Sequence, residues 1–201
     1  MAESKFKEHG LIPLVANTAP DGVLQVKFPS GVEASLGNEL TPRQVKDKPD
    51  VTWTADEKEL YTLCMTDPDT PGGIANPGTK NTGWKHFLVV NIPGNKVGQG
   101  DVMADYVECG PLKDTGNHRY VFLLYKQPGK ITPEGCPSSS LQIRGRRKFT
   151  VQAFAEKHSL GEPVAGNFFL AAYDDYVPEK QKKFYTVGNI FTYFTGGSVS
   201  K

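Results

Sequence analysis

Three short segments of the chain carry residue types that can bind or transform a charged ligand. Asp67-Pro68-Asp69-Thr70-Pro71-Gly72-Gly73 follows an apolar run that ends at Thr66. Two carboxylates one residue apart at the end of an extended strand point to the same side, and prolines beside them keep the backbone stiff. The same residues also suit a capped turn in which the Asp side chains bond nearby backbone N–H groups. His86 opens the apolar segment Phe87–Ile92, where a buried imidazole needs a hydrogen-bond partner. His118 and Tyr120 share one face of a third apolar segment by the period of two, and Arg119 points the other way.

A lone histidine at such a place is usually a satisfied core residue. Here two of four histidines open the two most apolar segments, and an acid pair closes another. If these strands are neighbours, two imidazoles, a phenol and two carboxylates meet at one end of a sheet. Imidazolium N–H and Tyr O–H groups suit a phosphate oxygen, and Gly110 would let a backbone amide approach with no side chain in the way. Asp67 or Asp69 would fix a histidine tautomer, raise an imidazole pKa or meet an ammonium group on the ligand. No nucleophile accompanies these residues, so no catalytic residue, cofactor or metal is expected. The rival enzyme reading is a hydrolase with His86 or His118 as general base and a carboxylate to orient it.

Other chemistries find no support. The sequence has no GxSxG, P-loop, GxGxxG or HExxH. Gly94–Gly100 is glycine-rich but lacks the Lys-Ser/Thr of a phosphate loop, and is expected to be a turn. The cluster Arg144, Arg146, Arg147, Lys148 reads as a solvated helix entry without aromatic platforms for bases. With 23 Lys plus Arg against 22 Asp plus Glu, the net charge of +1 gives no field for nucleic acid.

The elements that must position these residues are mostly strands. Of 201 residues, 21 are Gly and 15 Pro, a content that favours turns over long helices. Leu24/Val26/Phe28 and Val32–Leu36 alternate around Pro29-Ser30-Gly31, the pattern of a hairpin. Four nearly continuous apolar segments, Glu59–Thr66, Lys85–Ile92, Arg119–Lys126 and Asn167–Tyr173, should be central strands covered on both faces. Helices are expected from about Arg147 to His158 and from Pro178, where Glu179 and Lys182/Lys183 suit the helix dipole. Residues 1–187 read as one domain and 188–201 as an extension. Met1–Gly10 is charged, no apolar run spans a membrane, and Cys64, Cys109 and Cys136 are odd in number with no CxxC spacing. These features point to a cytoplasmic monomer with free thiols.

Together, Asp-Pro-Asp-x-Pro (from Asp67), Trp-x-His-x-x-Val-x-Asn-Ile-Pro-Gly (from Trp84) and Gly-Pro-x-x-x-x-Gly-x-His-Arg-Tyr-Val-Phe (from Gly110) closely resemble the phosphatidylethanolamine-binding protein family. The likeness runs from about Leu11 to Tyr185. It implies a mainly β fold, a large antiparallel sheet packed on a smaller one with peripheral and C-terminal helices, and a cis peptide at Thr70–Pro71. It also implies an anion pocket formed by Asp67, Asp69, His86, Gly110, Pro111, His118 and Tyr120, with Trp84 at its rim. The expected ligand is a phospholipid headgroup or other phosphate-bearing molecule, with peripheral membrane contact. The expected role is regulation of a kinase pathway or, alternatively, inhibition of a peptidase. Three departures fall around the pocket: Gly72-Gly73 replaces a Ser-Arg common in animal members, the loop Gly72–Gly83 is about three residues longer than in mammalian members, and Gln181 replaces a pocket tyrosine.

Overall fold

A computed structural model of the chain describes residues 2–76, 83–135, 138–139, 143 and 145–186. The helices are α1 (Ala2–Glu8), α2 (Val151–Lys157) and α3 (Val177–Thr186). The strands are β1 (Gly22–Val23), β2 (Gln25–Lys27), β3 (Asn38–Glu39), β4 (Asp50–Thr52), β5 (Leu60–Asp67), β6 (Trp84–Pro93), β7 (Asp101–Ala104), β8 (His118–Lys126) and β9 (Ala165–Ala171).

The four apolar segments are the sheet centre. Among the described residues, seven strands form one sheet in the order β1-β9-β8-β5-β6-β7, with β3 also on β9. All pairings from β9 to β7 are antiparallel; β1 and β3 share the outer edge of β9 in parallel. The small sheet is β2 paired with β4. The expected hairpin closes beside it, through a Lys27–Glu33 bridge and the Phe28 N–H to Val32 carbonyl bond.

Alternation along each central strand feeds two cores. Leu63, Met65, Phe87, Val89, Tyr120, Phe122 and Phe169 pack against Leu24, Val26, Val51 and Trp53 of the small-sheet side. Cys64, Leu88, Val90, Val121, Leu123 and Phe168 face Phe6, Leu11, Val15, Val151 and Ala155 on the other side. Each fully buried large apolar side chain contributes about 1.5–3 kcal/mol of transfer free energy, so a strand covered on both faces is fixed in register from both.

The charged N-terminus, read from sequence only for what it lacks, is a helix. Phe6 is its buried anchor, and Glu3–Lys7 and Lys5–Glu8 pairs lie on its exposed side. The expected helix from Arg147 starts only at Val151, because the residues before it pair with the start of β6: Lys85 N–H bonds the Arg146 carbonyl and Phe149 N–H bonds the Gly83 carbonyl, both at 2.9 Å. β9 ends at Ala171, two residues short of Tyr173. Thr70–Pro71 is cis, as is Ile12–Pro13. Cys64 and Cys109 are free and buried, on opposite faces of the large sheet. Cys136, Arg144 and the extension 188–201 lie outside the described residues.

Candidate functional site

The end of the sheet where β5 stops and β6 and β8 begin opens into a cavity of about 400 Å³. Asp67, His86, His118 and Tyr120 line it from the sheet, and Gly110 and Pro111 from the loop before β8. Period two puts Asp67, His118 and Tyr120 on the same face as Met65 and Phe122. His86 reaches that face by a different device. Met65 pairs with Phe87 and the next residue, Thr66, pairs with Lys85, so His86 is an extra residue in β6. Such a bulge re-aims a side chain, and it brings the His86 ring edge-on to Tyr120 with centroids 5.2 Å apart.

Asp69 is not at the cavity. The chain leaves the strand after Asp67: its Oδ1 accepts the Asp69 N–H at 2.8 Å, and the Gly73 N–H returns to the Asp69 carbonyl. This turn ends the period of two, so the expectation that both carboxylates face one way fails. Asp69, 0% exposed, instead accepts Arg119 Nε and the Arg119 backbone N–H on the other face of β8. Arg119 Nη1 then donates to the His9 carbonyl at 2.6 Å, fastening the end of α1.

The histidines differ. His118 Nδ1 lies 2.9 Å from Asp67 Oδ2, and its Nε2 lies 2.9 Å from Thr115 Oγ1. The Thr115 hydroxyl donates to the Leu112 carbonyl, so Nε2 carries hydrogen toward Thr115. Burial pushes the Asp67 carboxyl above its ordinary range, opposed by its bond with His118. His86 has no carboxylate beside it. Its Nδ1 donates to the Val107 carbonyl at 2.7 Å, while burial and then the nearby Lys180 push its pKa well below 6.5. His86 is therefore neutral, with Nε2 as an acceptor. Burial keeps the Tyr120 phenol protonated far above its ordinary value of 10.0.

This difference has a stability consequence. The unfolded chain protonates His86 near 6.5 and the folded chain does not, so this residue costs stability as pH falls below about 6.5. Asp67 acts in the opposite sense, because its raised carboxyl binds protons preferentially in the folded state. Comparison with His86→Gln isolates the histidine. From pH 7.5 to 5.5, urea unfolding should shift in favour of the variant by up to about 1.4 kcal/mol per pH unit. A constant difference would show that the folded ring protonates normally.

Sequence reasoning missed the remaining walls. The cluster read as a solvated helix entry divides: Arg146 is 0% exposed, while Arg147 and Lys148 are exposed at the cavity mouth. Arg146 donates to the carbonyls of Lys85, His86, Asp105, Ser138 and Ser139, which ties β6 to the stretch after β7, and burial lowers its pKa to about 10. From α3 come Val177, Lys180 and Gln181, one helical face by their i, i+3, i+4 spacing. That spacing was the available signal for Lys180. Its Nζ donates to the Glu108 carbonyl, and burial lowers its pKa against the pull of Glu108. A Cβ on Gly110 would come within 2.7 Å of this Nζ, so the glycine gives the lysine room.

A sequence model described as phosphatidylethanolamine-binding protein matches residues 4–169, and the chain belongs to that family. It is 35% identical over 90% of its length to "Putative odorant-binding protein A5" of Drosophila melanogaster, covering 85% of that protein. It is 39% identical over 82% of its length to the "26 kDa secreted antigen" of Toxocara canis, of whose length it spans 62%. Carboxypeptidase Y inhibitor, crystallised with its cognate proteinase, superposes with a TM-score of 0.71 at 25% identity, covering 86% of this chain and 95% of the inhibitor. Relatives named a secreted antigen and an odorant-binding protein overturn the cytoplasmic expectation. Its physical basis was weak: the charged N-terminus is part of the folded domain through buried Ala2 and Phe6, and Cys64 and Cys109 lie unpaired in separate cores.

Proposed function

We propose that the protein binds a phosphate-bearing ligand in this cavity and does not turn it over. Asp67, His86, Gly110, Pro111, His118 and Tyr120 form the wall, and Asp69 acts behind it by holding Arg119. One observation carries the reading: Lys180, Arg147 and Lys148 converge on a cavity whose lining carboxylate, Asp67, already bonds His118 and the Asp69 N–H. Against the hydrolase reading, His86 has the Val107 carbonyl rather than a carboxylate to orient it, and both His118 nitrogens face protein partners. The relatives' names support an extracellular setting, which puts a small phosphate ligand or lipid headgroup ahead of a cytosolic kinase. Residues 1–187 then form a monomeric binding domain and 188–201 an extension of it. Peptidase inhibition is a second reading, supported by the likeness to carboxypeptidase Y inhibitor; titration of that peptidase's activity with the protein tests it.

The ligand reading is tested by calorimetry with alkyl phosphates, where affinity on the order of 10 μM to 1 mM is expected. His118→Ala should weaken binding about 5- to 150-fold, or about 1–3 kcal/mol, because it leaves the Asp67 carboxyl facing the anion without its imidazole. Unchanged affinity in the folded variant would contradict the assignment.

A further inference from the structure

The described residues lining this cavity include three cationic side chains, Arg147, Lys148 and Lys180, and one carboxylate, Asp67. Lys180 enters from α3 and is only 7% exposed, with its Nζ anchored on the Glu108 carbonyl beside Gly110. Arg147 and Lys148 stand at the mouth. Among the described lining residues the one carboxylate is Asp67, and both its oxygens are engaged, Oδ1 by the Asp69 N–H and Oδ2 by His118. The Glu108 carboxylate, which lies near Lys180, is not part of the lining and accepts the Tyr176 hydroxyl at 3.3 Å. Asp69 is committed to Arg119 on the opposite face of the sheet. Among the described lining residues the site thus offers several cations to a phosphate, while its one carboxylate is already shared between His118 and the Asp69 N–H.

We infer that Lys180 makes the cavity selective for phosphate groups with no ammonium nearby, so that simple phosphate monoesters or a phosphatidic acid headgroup bind in preference to ethanolamine phosphates. The inference rests on the phosphate-binding reading of the cavity and goes against the ligand in the family's name. Its physical basis is a comparison of charges at short range. A buried lysine attracts a phosphate strongly because little water screens the pair, and it repels a second cation held on the same ligand for the same reason. An ammonium two carbons from the phosphate ester cannot move far from a cavity of about 400 Å³ while its phosphate stays bound. Helix geometry fixes the lysine in this place, since Val177, Lys180 and Gln181 form one face of α3.

The direct test is calorimetry on the full chain with n-propyl phosphate and with phosphoethanolamine, which differ only in a terminal methyl in place of the ammonium. Propyl phosphate should bind about tenfold more tightly, and Lys180→Met, which keeps the unbranched stem, should bring the two affinities within about twofold of each other, mostly by weakening propyl phosphate. Lys180→Gln serves if the Met variant does not fold. Sedimentation with phosphatidylcholine vesicles containing either phosphatidic acid or phosphatidylethanolamine separates the sources. Lys180-dependent retention on phosphatidic acid alone would place the ligand in a lipid surface, and propyl phosphate selectivity without retention would place it in solution; both support the inference. Equal or tighter binding of phosphoethanolamine, or a preference that survives loss of Lys180, overturns the inference while leaving the phosphate site standing. If neither soluble ligand binds, the phosphate reading falls and the inference with it.

Discussion

Replacement of Arg146 by Ala is expected to cost about 3–5 kcal/mol of stability, a fall in Tm of roughly 6–20 °C for a domain of this size. The guanidinium is wholly buried and serves carbonyls of three separate stretches, Lys85–His86, Asp105 and Ser138–Ser139. Two of these acceptors have a second partner: His86 O takes the Val107 N–H and Ser138 O takes the Asp105 N–H. Arg146→Lys keeps a charge but not the planar fork that reaches several oxygens at once, so it should recover only a part. Thermal unfolding by circular dichroism checks both variants. A Tm within about two degrees of the parent for Arg146→Ala would show that water replaces the side chain at little cost.

Asp69→Ala should be comparably severe, about 3–5 kcal/mol, because it strands a buried cation. Arg119 is 6% exposed, and Asp69 supplies both carboxylate oxygens to it. The proper control removes both charges. Asp69→Ala combined with Arg119→Met should be clearly more stable than Asp69→Ala alone, with a coupling of about 1–3 kcal/mol in the double-mutant cycle. Additive losses would mean that the pair is not coupled and that Asp69 acts only through its turn.

Most of the sheet was legible because its signal is local. An apolar run of eight or nine residues with turn chemistry at both ends leaves little freedom, and the four central strands fall where that pattern places them. The convergence of Asp67, His86, His118 and Tyr120 was legible for a related reason, since each sits at a strand end and those strands are neighbours. What escaped depends on breaks in periodicity. The bulge that turns His86 onto the face of Tyr120 exists only as a mismatch between β5 and β6, and the turn that sends Asp69 away from Asp67 replaces an assumed extended chain. The fate of the basic cluster was equally non-local. Arg146 and Arg147 are adjacent and alike in sequence, and only the pairing of this stretch with the start of β6 sends one into the core and the other to the cavity mouth. Lys180 was overlooked because a lysine on a short C-terminal helix is ordinarily a solvated charge.

The central claim, that this cavity binds phosphate, is most directly tested by following backbone amide resonances of the full chain during titration with n-propyl phosphate. The expected result is saturable shifts at Gly110, His118, Tyr120 and Lys180, giving a Kd on the order of 10 μM to 1 mM, with the far end of the sheet around Asn91 and Gln127 unmoved. Shifts that stay absent to about 10 mM ligand, well above that range, or that concentrate away from these residues, would contradict it.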